Sequence, residues 1–154
     1  MAFTYLETLE DATKTVEQFE SATLPDWAWT HEAHLICALS VLSRFGMEQA
    51  PVAMRERIMK YNIAVGKINS DTSGYHETVT IFWLKAIWER LSVENKVTFD
   101  QATLDALLSN IDLAYRNLFL KSYSEKRILS TEARKKYVKP DLEDVTFLSC
   151  RQPL

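Results

Sequence analysis

All three histidines of this chain lie in two short segments that also contain acidic, aromatic and hydroxyl side chains. His31 and His34 are three residues apart, and His76 follows a glycine and a tyrosine and precedes Glu77. Histidine is the side chain best suited to bind a transition metal or to transfer a proton near neutral pH. The two histidine segments are therefore where a reactive centre is most expected.

Helical periodicity predicts that the three imidazoles point inward. His31 and His34 are one turn apart, on the face that continues as the apolar stripe of the predicted second helix. His76 begins a similar stripe on the predicted fourth helix. If the ends of these helices coincide, three neutral imidazoles form a catalytic metal site with an open position for water. Zinc fits this ligand type best, and iron, nickel and manganese are alternative divalent metals.

Residues near the histidines are predicted to complete the site. Glu77 adjoins His76 and is a candidate general base, and Tyr61 is a second candidate catalytic residue. Candidate substrate contacts are an amide, an aromatic ring and two guanidinium groups, namely Asn62, Trp83, Arg127 and Arg134. The two arginines belong to a basic segment, 121–139, which either reaches the pocket and binds a carboxylate or phosphate, or is simply a solvated face.

These patterns lead to three hypotheses about function. The first is a small metal-dependent enzyme, hydrolase-like or hydratase-like, in which a metal-bound water attacks a small, anionic substrate. The second is a non-catalytic module that binds a small anionic ligand in the same pocket, with the histidines as hydrogen-bond donors. The third is a helical interaction protein without a pocket. The sequence leaves open whether catalysis occurs.

The elements that must position these residues are helical. The chain has 154 residues, of which 47% are hydrophobic and 25% charged, and only three are glycine, which favours helices over a turn-rich β architecture. Apolar periodicity predicts an all-α, single-domain bundle of five or six helices within 1–154. The predicted helices are 3–20, from 27 or 30 to 45, 50–66, 75–92, 100–120 and 131–138, with a polar loop at 67–74 and a partly irregular tail at 140–154.

Composition also limits the partners. The net charge of −3 argues against a nucleic-acid surface, and no run of eighteen apolar residues is present to cross a membrane. The amino terminus lacks the basic and apolar regions of a secretory signal, so we expect a cytoplasmic protein with Cys37 and Cys150 as free thiols. A small-molecule ligand is the expected partner, and the aromatic-rich composition is compatible with a homodimer.

Overall fold

The computed structural model describes residues 6–147, so the expectation for Cys150 lies outside the described residues. Within 6–147 the chain is mostly helical and has no β-strand, which confirms the predicted all-α bundle. The α-helices in this part of the chain are α1 (Leu9–Glu20), α2 (His31–Ala64), α3 (Glu77–Leu91), α4 (Gln101–Ser109), α5 (Ile111–Ala114), α6 (Glu125–Ile128) and α7 (Thr131–Lys135). Short 3-10 turns occur at Asp26–Ala28, Leu118–Lys121 and Val145–Phe147.

Helix α2 begins with both histidines in its first turns. Thr30 is its N-cap, since its side-chain oxygen accepts a hydrogen bond from the backbone N–H of Ala33 at 3.2 Å. Gly46 interrupts the helix with φ +77°, a conformation that glycine adopts without the penalty of a Cβ atom. The predicted break at Gly46 is therefore confirmed, but the chain resumes helical geometry directly, and the predicted second and third helices form one kinked element.

The predicted helix 100–120 is shorter than expected. Asn110 leaves helical geometry and is the N-cap of α5, because its side chain accepts a hydrogen bond from the backbone N–H of Leu113. Asparagine side chains compete in this way with the helical hydrogen bonds of the backbone. The prediction of one continuous helix was wrong because it relied on apolar periodicity, which the capping side chain of Asn110 does not change.

The carboxy-terminal helices also differ from the prediction. Ser130, and not Thr131, is the N-cap of α7, because its hydroxyl accepts from the N–H of Ala133 at 3.1 Å. The helix ends at Lys135 instead of 138, and α6 was not predicted. Both helices are only four or five residues long, too short to produce a recognisable apolar period.

The core lies between the longest helices. Helix α2 packs against both α3 and α1. The largest fully buried side chains include residues from all of these helices and from α4, namely Phe19, Ile36, Leu39, Leu42, Phe82, Leu84, Ile87 and Leu104. The paired surfaces of α2 and α3 therefore fix the relative positions of the two histidine segments.

A buried arginine links α3 to the later part of the chain. The guanidinium of Arg90 donates hydrogen bonds to the carbonyls of Val145 and Thr146, both at 3.0 Å, and to the carboxylate of Asp112 at 3.4 Å. Asp112 belongs to α5, so Arg90 helps to hold α5 against the end of the bundle. None of the helices in residues 6–147 combines the length and the apolar character that a bilayer span requires.

Candidate functional site

A hollow of about 270 Å³ lies between α2, on both sides of its kink at Gly46, and the first turns of α3. We call it the histidine pocket. Its polar lining consists of His31, His34, Thr80 and Arg116. The remaining lining is apolar or aromatic and comprises Trp29, Leu35, Ala38, Met54, Ile58, Val79, Trp83, Leu84 and Phe119. This combination of apolar walls and few polar groups is characteristic of small-molecule sites.

His34 is fixed in the pocket wall by stacking and by a backbone hydrogen bond. Its ring lies 3.7 Å from the ring of Trp29, centroid to centroid, with an interplanar angle of 30°. Its Nδ1 atom is 2.6 Å from the carbonyl oxygen of Thr30, and because a carbonyl only accepts, Nδ1 carries the proton. Burial lowers the pKa of His34 to about 4, and the nearby charges of Lys67 and Arg116 act in the same direction. At neutral pH the imidazole is thus uncharged, with a lone pair on Nε2.

His31 is held through Nε2, whereas His34 is held through Nδ1. Its Nε2 atom donates to the carbonyl oxygen of Leu113 at 2.8 Å, which connects the start of α2 to α5. Its ring contacts Trp83 edge-on, with centroids 4.9 Å apart and an interplanar angle of 65°. In the neutral form of His31 the lone pair therefore lies on Nδ1.

His31 and His34 each have a second ring nitrogen that faces no bonding partner among the described residues. Neither Nδ1 of His31 nor Nε2 of His34 has a hydrogen-bond partner within residues 6–147. In that same part of the chain, Nε of Arg90 is the one fully buried side-chain nitrogen or oxygen without a partner. The two free imidazole nitrogens are therefore accessible, and at neutral ring charge they are hydrogen-bond acceptors or metal ligands.

Arg116 brings a positive charge to the lining of the pocket. It lines the histidine pocket and also an adjoining surface hollow, the mouth, whose other lining residues are Trp29, Thr30, His31, Glu32 and Ala114. Its side chain is exposed and makes no hydrogen bond or ion pair with another described residue. Sequence reasoning missed Arg116, because its position depends on the interruptions of the chain after Ser109 and Ala114.

His76 lies apart from the other two histidines. It is the N-cap of α3, where its Nδ1 atom accepts from the backbone N–H of Val79 at 3.2 Å. Its Nε2 atom donates to the carbonyl oxygen of Ile128 at 2.7 Å, and burial lowers its pKa. Both nitrogens are therefore in use, and His76 does not line the histidine pocket. Among residues 6–147 no three His, Cys, Asp or Glu side chains are grouped so that they could hold a metal ion.

Glu77, the candidate general base, belongs to a separate polar cluster. Its carboxylate accepts two parallel hydrogen bonds from Arg55, each 3.0 Å long, and one from the hydroxyl of Tyr75 at 2.8 Å. Burial and the bond to Glu77 raise the pKa of Tyr75 above its ordinary value. Glu77 lines a second hollow, which it shares with Arg134, and its present bonds are those of a structural ion pair.

Tyr61 and Asn62 are buried and bonded outside the histidine pocket. The hydroxyl of Tyr61 donates to the carbonyl oxygens of Leu24 at 3.0 Å and Pro25 at 3.2 Å. The side-chain amide of Asn62 donates to the side-chain oxygen of Asn69 at 2.9 Å. These bonds secure the loops on either side of α2.

Of the predicted substrate contacts, Trp83 is the one that lines the histidine pocket. The side chain of Arg127 donates to the carbonyl of Lys139 at 2.6 Å, and that of Arg134 to the carbonyl of Gly74 at 2.9 Å. Both arginines therefore bind backbone on other parts of the surface, and the guanidinium group that the structure places in the pocket lining is Arg116.

Comparison with known proteins gives this chain no relative: no family model, no curated protein and no solved structure matches it. A functional interpretation therefore has to come from the chemistry of the site itself. That site combines two accessible imidazole nitrogens, an apolar wall with three aromatic residues, and the guanidinium group of Arg116, which bonds to no described residue.

Proposed function

We propose that this protein binds a small, largely apolar molecule in the histidine pocket. The observation that supports the proposal is that His31 and His34 each use one ring nitrogen to bind backbone and leave the other accessible within an apolar hollow. The volume of 270 Å³ is just below the usual range for ligand sites, about 300–1,000 Å³, which favours a compact ligand.

The rings that would contact the ligand are already held in place. Trp29 stacks on His34 and on Phe19, with ring centroids 3.7 Å and 4.6 Å apart, respectively. Trp83, in contrast, makes edge-on contacts with the rings of His31 and Phe82. Side chains that are ordered before binding lose little conformational entropy when the ligand arrives. The pocket is therefore suited to reversible binding without a large rearrangement.

Filling the pocket is a direct test of the proposal. Ala38 lines the pocket and is 4% exposed, so Ala38→Phe would place a phenyl ring in the space that we assign to the ligand. Ala53→Phe is the matched control, because Ala53 lies on the same helix but lines a different hollow. A panel of small aromatic and aliphatic molecules would be screened against the three proteins by thermal shift.

We expect panel members to stabilise the wild type and Ala53→Phe but not Ala38→Phe. A ligand present at about 100 times its Kd stabilises by about 2.7 kcal/mol, which raises the Tm of a chain of this size by about 5–10 °C. Binding that survives in Ala38→Phe, or a panel that stabilises none of the three proteins, would count against the histidine pocket as a ligand site.

A metal-dependent hydrolase or hydratase is the second candidate function. Two free imidazole nitrogens are two ligands for zinc or a similar divalent metal, and a catalytic zinc site usually has three protein ligands. The third ligand would have to be another residue than His76, whose nitrogens are both bonded to backbone. Zinc binding measured by calorimetry on the wild type and on His31→Gln would separate the candidates, because tight binding that depends on His31 supports the metal enzyme.

A further inference from the structure

We infer that the ligand of the histidine pocket is a compact carboxylate with an apolar body and at least one hydrogen-bond donor, a hydroxyl or an N–H group. This inference rests on the proposed binding function and specifies the chemistry of the ligand. It follows from two features of the lining: the ring nitrogen that is left free on His31 and on His34, and the guanidinium of Arg116, which bonds to no described residue.

The need for a donor follows from the hydrogen bonds of the histidines. The carbonyls of Leu113 and Thr30 accept from Nε2 of His31 and Nδ1 of His34, respectively. Each bond fixes a tautomer, so each neutral ring offers its other nitrogen as an acceptor only. A ligand acceptor placed there would meet a second lone pair, whereas a hydroxyl or N–H group completes the hydrogen bond. The sequence-based hypothesis that the histidines donate to an anion is therefore replaced by one in which they accept.

The need for a negative charge follows from Arg116. A guanidinium group has five N–H donors and binds a carboxylate through two parallel hydrogen bonds. Arg116 uses none of its donors on described residues, although it lines both the pocket and the mouth. A ligand whose apolar body lies between the aromatic walls would present its charged end to this side chain.

The mouth also limits the size of that charge. Glu32 lines the mouth together with Arg116, so one negative and one positive side chain are already present. A phosphate monoester carries a charge of about −1.5 to −2 at neutral pH and would meet repulsion from Glu32 with a single guanidinium to balance it. A carboxylate carries one negative charge, which Arg116 alone can neutralise.

The test uses matched sets of small probes. Each set holds a para-hydroxylated aromatic acid, the same acid without the hydroxyl, the corresponding para-hydroxylated alcohol without the carboxylate, and its phosphate ester. Sets built on benzoate, phenylacetate and 3-phenylpropionate vary the spacing between the two ends. Affinities would be measured by calorimetry at pH 7.5 for the wild type, Arg116→Gln and Arg127→Gln, the last being an arginine of the basic segment outside the pocket lining.

In at least one set, the hydroxylated acid should bind the wild type about tenfold more tightly than each of the other three probes, the gain expected for one hydrogen bond to a charged or buried partner. Arg116→Gln should abolish the preference for acid over alcohol, and Arg127→Gln should retain it. His34→Phe, which keeps an aromatic ring beside Trp29, should abolish the preference for the hydroxylated acid over its unsubstituted form.

Equal affinity for acid and alcohol in the wild type would overturn the inference while leaving the pocket as a binding site. A preference for the acid that persists in Arg116→Gln would do the same. Tighter binding of the phosphate ester would reject a carboxylate as the ligand group. If no probe binds while the Ala38→Phe experiment shows that other molecules do, the carboxylate inference fails alone; if nothing binds in either experiment, the proposed function fails with it.

Discussion

The half-buried imidazole of His34 should make the stability of the fold depend on pH. In the folded protein burial lowers the pKa of His34 to about 4, compared with 6.5 for an exposed imidazole. Between these two values the unfolded chain binds a proton that the folded chain does not, so the free energy of unfolding must fall as the pH falls. The loss begins near pH 6.5, is complete near pH 4, and is absent at pH 7.5.

The size of the effect follows from the two pKa values. The free energy of unfolding falls by about 1.4 kcal/mol for each pH unit between 6.5 and 4. It is therefore about 2 kcal/mol lower at pH 5 than at pH 7.5, and about 3 kcal/mol lower below pH 4. The range above pH 5 is the informative one, because aspartate and glutamate side chains stay largely ionised there.

Urea unfolding of the wild type and of His34→Gln at pH 7.5, 6.5, 5.5 and 5 would measure this contribution. Glutamine keeps an N–H donor for the carbonyl of Thr30 but does not titrate. His76→Gln is the control for the other histidine whose pKa burial lowers, and it should retain most of the pH dependence. An unchanged pH dependence in His34→Gln would refute the assignment of His34 as a neutral imidazole with a lowered pKa.

Further predictions follow from individual contacts. Glu77→Gln removes the charge that Arg55 and Tyr75 bind, and should lower the free energy of unfolding by about 2–4 kcal/mol in urea titrations while probe affinity for the histidine pocket stays within twofold; a selective loss of binding without a loss of stability would show instead that Glu77 acts on the ligand. Tyr61→Phe leaves two carbonyls short of a donor and should cost about 1–2 kcal/mol; no measurable cost would mean that water replaces the hydroxyl. Thr30→Ala removes the N-cap of α2 and should cost about 1 kcal/mol by the same measurement, and a neutral effect would show that the cap is dispensable. Metal analysis of untagged protein should give less than one zinc per chain, with Tm unchanged by chelator; stoichiometric zinc and a lowered Tm would favour the metal-dependent enzyme.

The sequence predicted the helices that carry the pocket because their apolar patterns are long. The segment that became α2 has an inward stripe, a hydroxyl cap at Thr30 and a glycine at the break, and each of these features is local. The same stripe predicts an inward position for His31 and His34, and both line the histidine pocket. Trp83 was assigned to the pocket for a similar reason, as a bulky residue on an inward face of a buried helix.

The positions of His76 and Arg116 could not be predicted from apolar patterns. An apolar stripe that includes His76 requires a helical residue, but His76 is the N-cap, where a side chain turns back to bind the helix backbone. Arg116 follows α5, whose start depends on the side chain of Asn110 and whose position depends on the buried Arg90. Neither of these polar contacts leaves a periodic pattern of apolar residues in the sequence. The position of Arg116 in the pocket lining therefore could not be predicted from that pattern.

Imidazole nitrogen NMR tests the histidine pocket most directly, because it reports the tautomer of each ring and its response to a ligand. In the neutral rings we expect the proton on Nδ1 of His34 and on Nε2 of His31 and His76, in accordance with their carbonyl partners. A saturating para-hydroxylated aromatic acid should shift the free nitrogens of His31 and His34 and leave His76 unchanged. Shifts confined to His76, or no shift in any ring while calorimetry shows the acid to bind, would contradict the histidine pocket as the ligand site.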